Sequence, residues 1–231
     1  MPKINVNGIN VCYDEAGEGD KVAVFLHGNG ESKSIFARFK DVCPNVKKYF
    51  LDTRGHGGTD YAEPFDFSAF SEDVYAFLQA KNVKKAIIFG YSDGANTATY
   101  LCKQHPEVIE KLILVSGNIY RKGLNYSFLI PCFLFTCLIF PLRFVKRLNR
   151  RYKLNMLMLK DIGVTEDDLE AFNVDALILH AEKDVVNYAH TVLIHLSIKN
   201  SALLQINACT HFNIIDAIYE RGLLPSLLIT D

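Results

Sequence analysis

Ala86-Ile87-Ile88-Phe89-Gly90-Tyr91-Ser92-Asp93-Gly94, followed by the helix-like segment Ala95 to Lys103, is the stretch that decides the fold. A short apolar run gives way to a serine flanked by glycines two residues on either side, and a helix follows at once. This is the pattern of a serine held on a tight strand-to-helix turn. The hydroxyl must stand clear of the sheet on a strained backbone, and the glycines let strand and helix approach without Cβ clashes. Three fixed positions are weak evidence alone, so the surrounding chain must carry the reading.

Working outward, further apolar strands are predicted at Val22 to Leu26, Lys48 to Leu51, Leu112 to Val115, Ala176 to Leu179 and Leu203 to Ile206. Such unalternating runs suit parallel strands buried on both faces. Lys3 to Val6 and Ile9 to Tyr13, joined at Asn7-Gly8, read as an opening hairpin, because Asn-Gly favours a type I′ turn. Helices are expected near Ser34 to Lys40, Ser68 to Lys81, Ala95 to Gln104, Tyr188 to Ser197 and Phe212 to Leu224. The repeated strand, helix, strand order implies an α/β protein, a mostly parallel twisted sheet with helices on both sides. The 231 residues suffice for a single domain, and no linker or repeat divides them. A hydrophobic share of 49% and a net charge of -1 describe a globular protein and exclude a nucleic-acid binder. The segment Met1-Pro2-Lys3-Ile4-Asn5 has no apolar signal core, which leads to the expectation of a cytoplasmic protein. Its six cysteines show no metal-ligand spacing and are expected to be reduced thiols.

Ligands of parallel sheets bind at the carboxyl ends of the strands. Five strand ends carry polar, glycine-rich or charged groups: His27-Gly28-Asn29-Gly30, Asp52-Thr53-Arg54-Gly55-His56-Gly57, Ser92, His180 to Asp184, and Thr210-His211-Phe212. A nucleophilic serine needs a base, and the base needs an orienting acid. Among the seven histidines, His211 occupies a late loop with no other evident purpose. Asp184 lies in the turn after its strand, with Glu182 as the nearby rival and Asp175 at the wrong end. Ser116-Gly117-Asn118 offers no carboxylate.

The order Ser, Asp, His in this strand context resembles the α/β-hydrolase fold family. The resemblance spans nearly the whole chain. It implies Ser92 as nucleophile, His211 as general base and acid, and Asp184 as the orienting carboxylate. It also implies an oxyanion hole from the backbone N–H groups of Asn29 and Asp93. Asp93 opens the helix after the turn, where unpaired N–H groups favour a developing anion. Asn29 and Gly30 leave the other loop small and flexible. Arg54 and His56 are read as scaffold. Serine at this position, where epoxide- and halide-processing relatives carry aspartate, implies hydrolysis of carboxylic esters or thioesters through an acyl-enzyme. The implied partner is a small-molecule substrate with a lipophilic acyl group, with no cofactor, metal or nucleic acid. An aminoacyl ester hydrolase, a short-peptide peptidase and a low-turnover binding protein are the alternatives. Asp93 either caps its helix or pairs with a cationic group of a substrate.

Between Asn118 and Asn173 the alternation stops, where the family commonly inserts a lid, here about 119–173. Phe128 to Leu142 is almost wholly apolar but too short and proline-broken for a spanning helix, which needs about 20 residues. From Ile119 to Lys160 there is no acidic residue, while Arg121, Lys122, Arg143, Lys146, Arg147, Arg150, Arg151, Lys153 and Lys160 are basic. Elsewhere 16 basic residues face 26 acidic ones, a balance of -10. The expected arrangement is a lid with its apolar face over the site and its basic face solvated. A lipophilic acyl pocket and docking on an anionic membrane or substrate are the other readings. The oligomeric state is left open.

Overall fold

The computed structural model describes residues 2–229. Eight strands form one sheet in the order β1-β2-β4-β3-β5-β6-β7-β8: Lys3–Val6 (β1), Ile9–Ala16 (β2), Val22–Leu26 (β3), Lys47–Leu51 (β4), Ala86–Tyr91 (β5), Ile109–Val115 (β6), Asp175–Lys183 (β7) and Ser201–Thr210 (β8). β1 pairs with β2 and β2 with β4 in antiparallel fashion; every later pairing is parallel. In the β1–β2 turn Asn7 and Gly8 both have positive φ, 50° and 76°, as a type I′ turn requires.

The central strands are buried on both faces because successive side chains point to opposite sides. Leu26, Ile88, Leu112 and Ile178 join one apolar core with helices α1 (Phe67–Ala80) and α2 (Asp93–Gln104). Phe25, Phe89, Ile113 and Leu179 join a second core on the opposite face. There they meet the 3-10 helix Lys33–Phe39 and, later in the chain, α7 (Ile214–Glu220) and α8 (Leu224–Ile229). The helix expected over 212–224 is therefore broken. A 3-10 turn at His211–Asn213 precedes α7, and Gly222, at φ 62°, separates α7 from α8. β5, β7 and β8 also run beyond their predicted ends, so that Ser92, Asp184 and His211 each directly follow a strand.

The chain between β6 and β7 forms α3 (Tyr126–Ile139), α4 (Lys146–Met158) and the short α5 (Glu166–Glu170), with α3 and α4 packed as a hairpin. Among the described residues no helix is long and apolar enough to cross a membrane. α3 does not present its apolar side inward as expected. Only Leu129, Thr136 and Ile139 are buried, and the rest of the helix is exposed or half-buried.

The contact that fixes α2 on the sheet is made by glycine. A Cβ at Gly94 would lie 2.0 Å from the Leu26 carbonyl oxygen, and one at Gly90 would lie 2.3 Å from the Gly94 carbonyl oxygen. Neither neighbour is the movable end of a side chain. Gly94→Ala is predicted to destabilise the protein by about 3 kcal/mol or more, at the upper end of overpacking costs, as read from the urea midpoint.

Candidate active site

Ser92 sits between β5 and α2 with φ 53° and ψ -120°, a conformation that costs a non-glycine residue roughly 1–3 kcal/mol. The surrounding packing holds it there and turns its hydroxyl toward the loop after β8. His211 Nε2 lies 3.1 Å from Ser92 Oγ, and His211 Nδ1 lies 2.7 Å from Asp184 Oδ1. His211 is buried, and the Tyr91 hydroxyl donates to its backbone carbonyl at 2.8 Å.

The Asp184 carboxylate collects donors. Beyond His211 it accepts from the Ala181 N–H at 3.1 Å, the Val186 N–H at 3.0 Å and the Ser116 hydroxyl. Burial opposes its ionisation, but the hydrogen bonds and charge of its partners outweigh this and hold its carboxyl below the ordinary range. Ser116 is a residue the sequence reading passed over, because only carboxylates were sought at that strand end. His180 Nδ1 also lies 3.8 Å from Asp184, and burial lowers its pKa. The rival acids are elsewhere: Glu182 accepts from the Ala208 N–H, and Asp175 starts β7.

The His27-Gly28-Asn29 loop lies directly against the serine. A Cβ on Gly28 would come 3.2 Å from Ser92 Cβ. The Gly28 N–H donates to Glu31 Oε2 at 3.1 Å. Among the described residues no loop or turn hydrogen bond engages the Asn29 N–H, and the Asp93 N–H, in the first turn of α2, has no intrahelical acceptor. The side chain of Asn29 ties the loop to its surroundings. The Asn29 side-chain amide donates to Asp93 Oδ2 at 2.7 Å and to the Leu154 carbonyl of α4 at 2.9 Å. Asp93 also accepts from Asn96 Nδ2 at 3.2 Å, and Asn96 Oδ1 accepts from the Asn118 N–H at 2.8 Å.

The loop after β4 is a buried scaffold. Arg54 forms a two-pronged bond with Asp73 at 2.7 and 2.8 Å, and Lys33 pairs with Asp52 at 2.9 Å. Burial pushes the pKa of His27 down to about 4 and that of His56 to about 3, so both are neutral near pH 7. Among the described residues no group of three His, Cys, Asp or Glu side chains could hold a metal ion.

Leu124, Phe128, Leu157, Met158, Val185 and Val186 close over Ser92 and Asp93. The remaining cavity is about 20 Å³, room for about one water molecule.

A parallel sheet with this serine turn and the Ser92–His211–Asp184 chain has the α/β-hydrolase fold, and the alpha/beta hydrolase fold family model matches residues 22–131. The protein is similar to the human serine hydrolase BPHL, 28% identical over 233 residues that cover 87% of this chain and 76% of the relative. It also matches Ethanol acetyltransferase 1 of Cyberlindnera fabianii, 28% identical over 42% of this chain but only 30% of that protein. In the solved structure of a hydrolase from Pseudomonas aeruginosa the same fold recurs, with a TM-score of 0.80 at 17% identity and coverage of 99% and 98%.

Burial raises the Asp93 carboxyl from 3.8 to about 6, against the opposing hydrogen bonds of Asn29 and Asn96 and the charge of His211. The folded state therefore holds this proton more tightly than the unfolded chain. The stability that Asp93 contributes falls as pH rises from about 4 to about 6 and stays lost above that. Asp93→Asn, which does not titrate, is predicted to gain stability relative to the parent across that window. Urea midpoints at about pH 4 and about pH 7.5 measure the gain.

Proposed function

We propose that this protein is a serine hydrolase that cleaves carboxylic esters or thioesters of small, lipophilic acyl substrates through an acyl-enzyme on Ser92. The observation that carries this reading is the continuous chain from Ser92 Oγ to His211 at 3.1 Å and from His211 to Asp184 at 2.7 Å. His211 takes the Ser92 proton as Oγ attacks the substrate carbonyl. The resulting oxyanion is met by the N–H groups of Asn29 and Asp93, and one such donor is worth about 3–4 kcal/mol in the transition state. His211 Nε2 then protonates the departing alkoxide or thiolate. Water, deprotonated in turn by His211, releases the acid and restores Ser92. Asp184, kept ionised by its donors, stabilises the imidazolium and holds Nδ1 protonated.

The chain's likeness to a serine hydrolase along 76% of that relative's length supports the reading. The apolar side chains over the serine support a lipophilic acyl group. In this reading the α3–α4 insertion, about 119–173, is the lid: the cavity of about 20 Å³ is too small for an ester, so substrate entry requires it to shift.

Ser92→Ala is expected to lower kcat for p-nitrophenyl acetate and butyrate by about 10⁴-fold or more. Full retention of activity would overturn the assignment.

A second reading, hydrolysis of aminoacyl esters or short peptides, is favoured by the Asp93 carboxylate in the same cavity as Ser92. An α-ammonium group seated there would form a charge-assisted pair. Asp93→Asn should then lower kcat/KM for aminoacyl esters about tenfold more than for neutral esters of the same size. An unchanged ratio leaves only the role of tethering Asn29 and Asn96.

A further inference from the structure

The insertion carries an apolar surface that the active site does not use. Every residue of α3 from Tyr126 to Ile139 is uncharged, so this surface helix lacks the polar face that water-facing helices carry. Tyr126, Ile130, Phe133, Leu134 and Leu138 recur at helical spacing along one exposed stripe. Tyr126 is 76%, Leu134 60% and Leu138 69% exposed. The stripe continues through the exposed turn between α3 and α4, where Phe140, Leu142, Phe144 and Val145 face solvent and Phe144 is 81% exposed. Contiguous apolar patches of this kind mark an interaction surface.

A cationic collar adjoins the patch. Arg143 lies within the turn, and Lys146, Arg147, Arg150 and Arg151 follow on α4, all exposed. Of the nine basic residues between Arg121 and Lys160, only Lys153 makes an ion pair among the described residues, with Glu63 at 3.2 Å. The rest of the chain, with its excess of acidic residues, supplies almost no counter-charge here. A helix apolar on its outer side beside a basic collar is the composition of elements that lie in a membrane interface, with aromatic and aliphatic groups among the acyl chains and cations at the headgroups. At fourteen residues, α3 is too short to span a bilayer but long enough to lie in its surface. A two-fold dimer through this face would set the same cationic collar against itself. Charge therefore favours an anionic lipid surface over a second copy.

We propose that the α3–α4 hairpin docks the protein on anionic membranes, with the outer stripe of α3 and the Phe144 turn in the interface and Arg143, Lys146, Arg147, Arg150 and Arg151 at the lipid headgroups. The inference does not depend on the chemistry assigned to Ser92, since its readout is binding alone.

The test is co-sedimentation of the full chain with vesicles of phosphatidylcholine alone and of phosphatidylcholine mixed with phosphatidylserine. Binding is expected on the anionic vesicles at low salt, with release near about 1 M salt, where the screening length is about 3 Å. Phe144→Asp and, separately, Leu138→Asp change exposed side chains and should each weaken binding at least about tenfold. Arg147→Ala combined with Arg150→Ala should weaken it about 25-fold. An unchanged thermal midpoint confirms that each variant is folded. Equal recovery with both vesicle types, no recovery with either, or binding that survives both aspartate variants would overturn the proposal. So would a dimer in light scattering that Phe144→Asp dissociates while the parent ignores vesicles, because the face would then belong to a second copy.

Discussion

The contact between α2 and the sheet allows no side chain at two points, and the arrangement at the serine depends on it. Gly94 lies with its Cα against the Leu26 carbonyl, and Gly90 lies against the first turn of α2. Only at that separation does the chain turn from strand to helix within the single residue Ser92, at φ 53°. The same closeness sets the carboxyl end of β3 beside the first turn of α2. The loop after β3 therefore reaches Ser92, with Gly28 at contact distance. Any Cβ at these points would separate the N–H groups of Asn29 and Asp93 from the hydroxyl they are proposed to serve.

At the far end of the chain of hydrogen bonds, Asp184 is fixed by more than His211. Its oxygens accept from two backbone N–H groups and the Ser116 hydroxyl as well. A carboxylate with this many donors stays ionised although buried. Three adjacent strand ends, those of β6, β7 and β8, thereby meet at one carboxylate, and the orientation of His211 is inherited from the sheet rather than from a loop.

The fold was legible in the chain because its signals are local. Buried parallel strands read as short apolar runs, Asn7-Gly8 announces its turn, and Gly90, Ser92 and Gly94 mark the crossing. Strand ends bring Ser92, Asp184 and His211 forward as candidates, with Glu182 as a rival acid, and the resemblance to the α/β-hydrolase fold supplies their implied roles. What escaped were relations between distant segments. Ser116 looked irrelevant because its partner lies 68 positions away. The tether of Asn29, the Leu154 carbonyl, lies 125 positions away and leaves no local trace. The large exposed share of α3 has a related cause. A helix apolar on all sides carries no periodicity to say which side faces in, so composition alone could not distinguish a cover from an exposed stripe.

That exposed stripe and the serine are physically linked. Asn29 has two amide hydrogens; one is held by Asp93 and the other by the backbone of α4. Leu157 and Met158 at the end of α4, with Phe128 of α3, leave a cavity of about 20 Å³ over the site. In the proposed opening of the lid, a shift of α4 would release the Asn29–Leu154 bond. Asp93 then remains as the sole anchor of that side chain. Because burial holds the Asp93 carboxyl at about 6, the strength of this remaining anchor varies with pH, whereas the Asp184 end, whose carboxyl lies below the ordinary range, stays charged. When Asp93 ionises, its bond to the Asn29 amide becomes charge-assisted, and the candidate oxyanion loop depends less on the contact with α4.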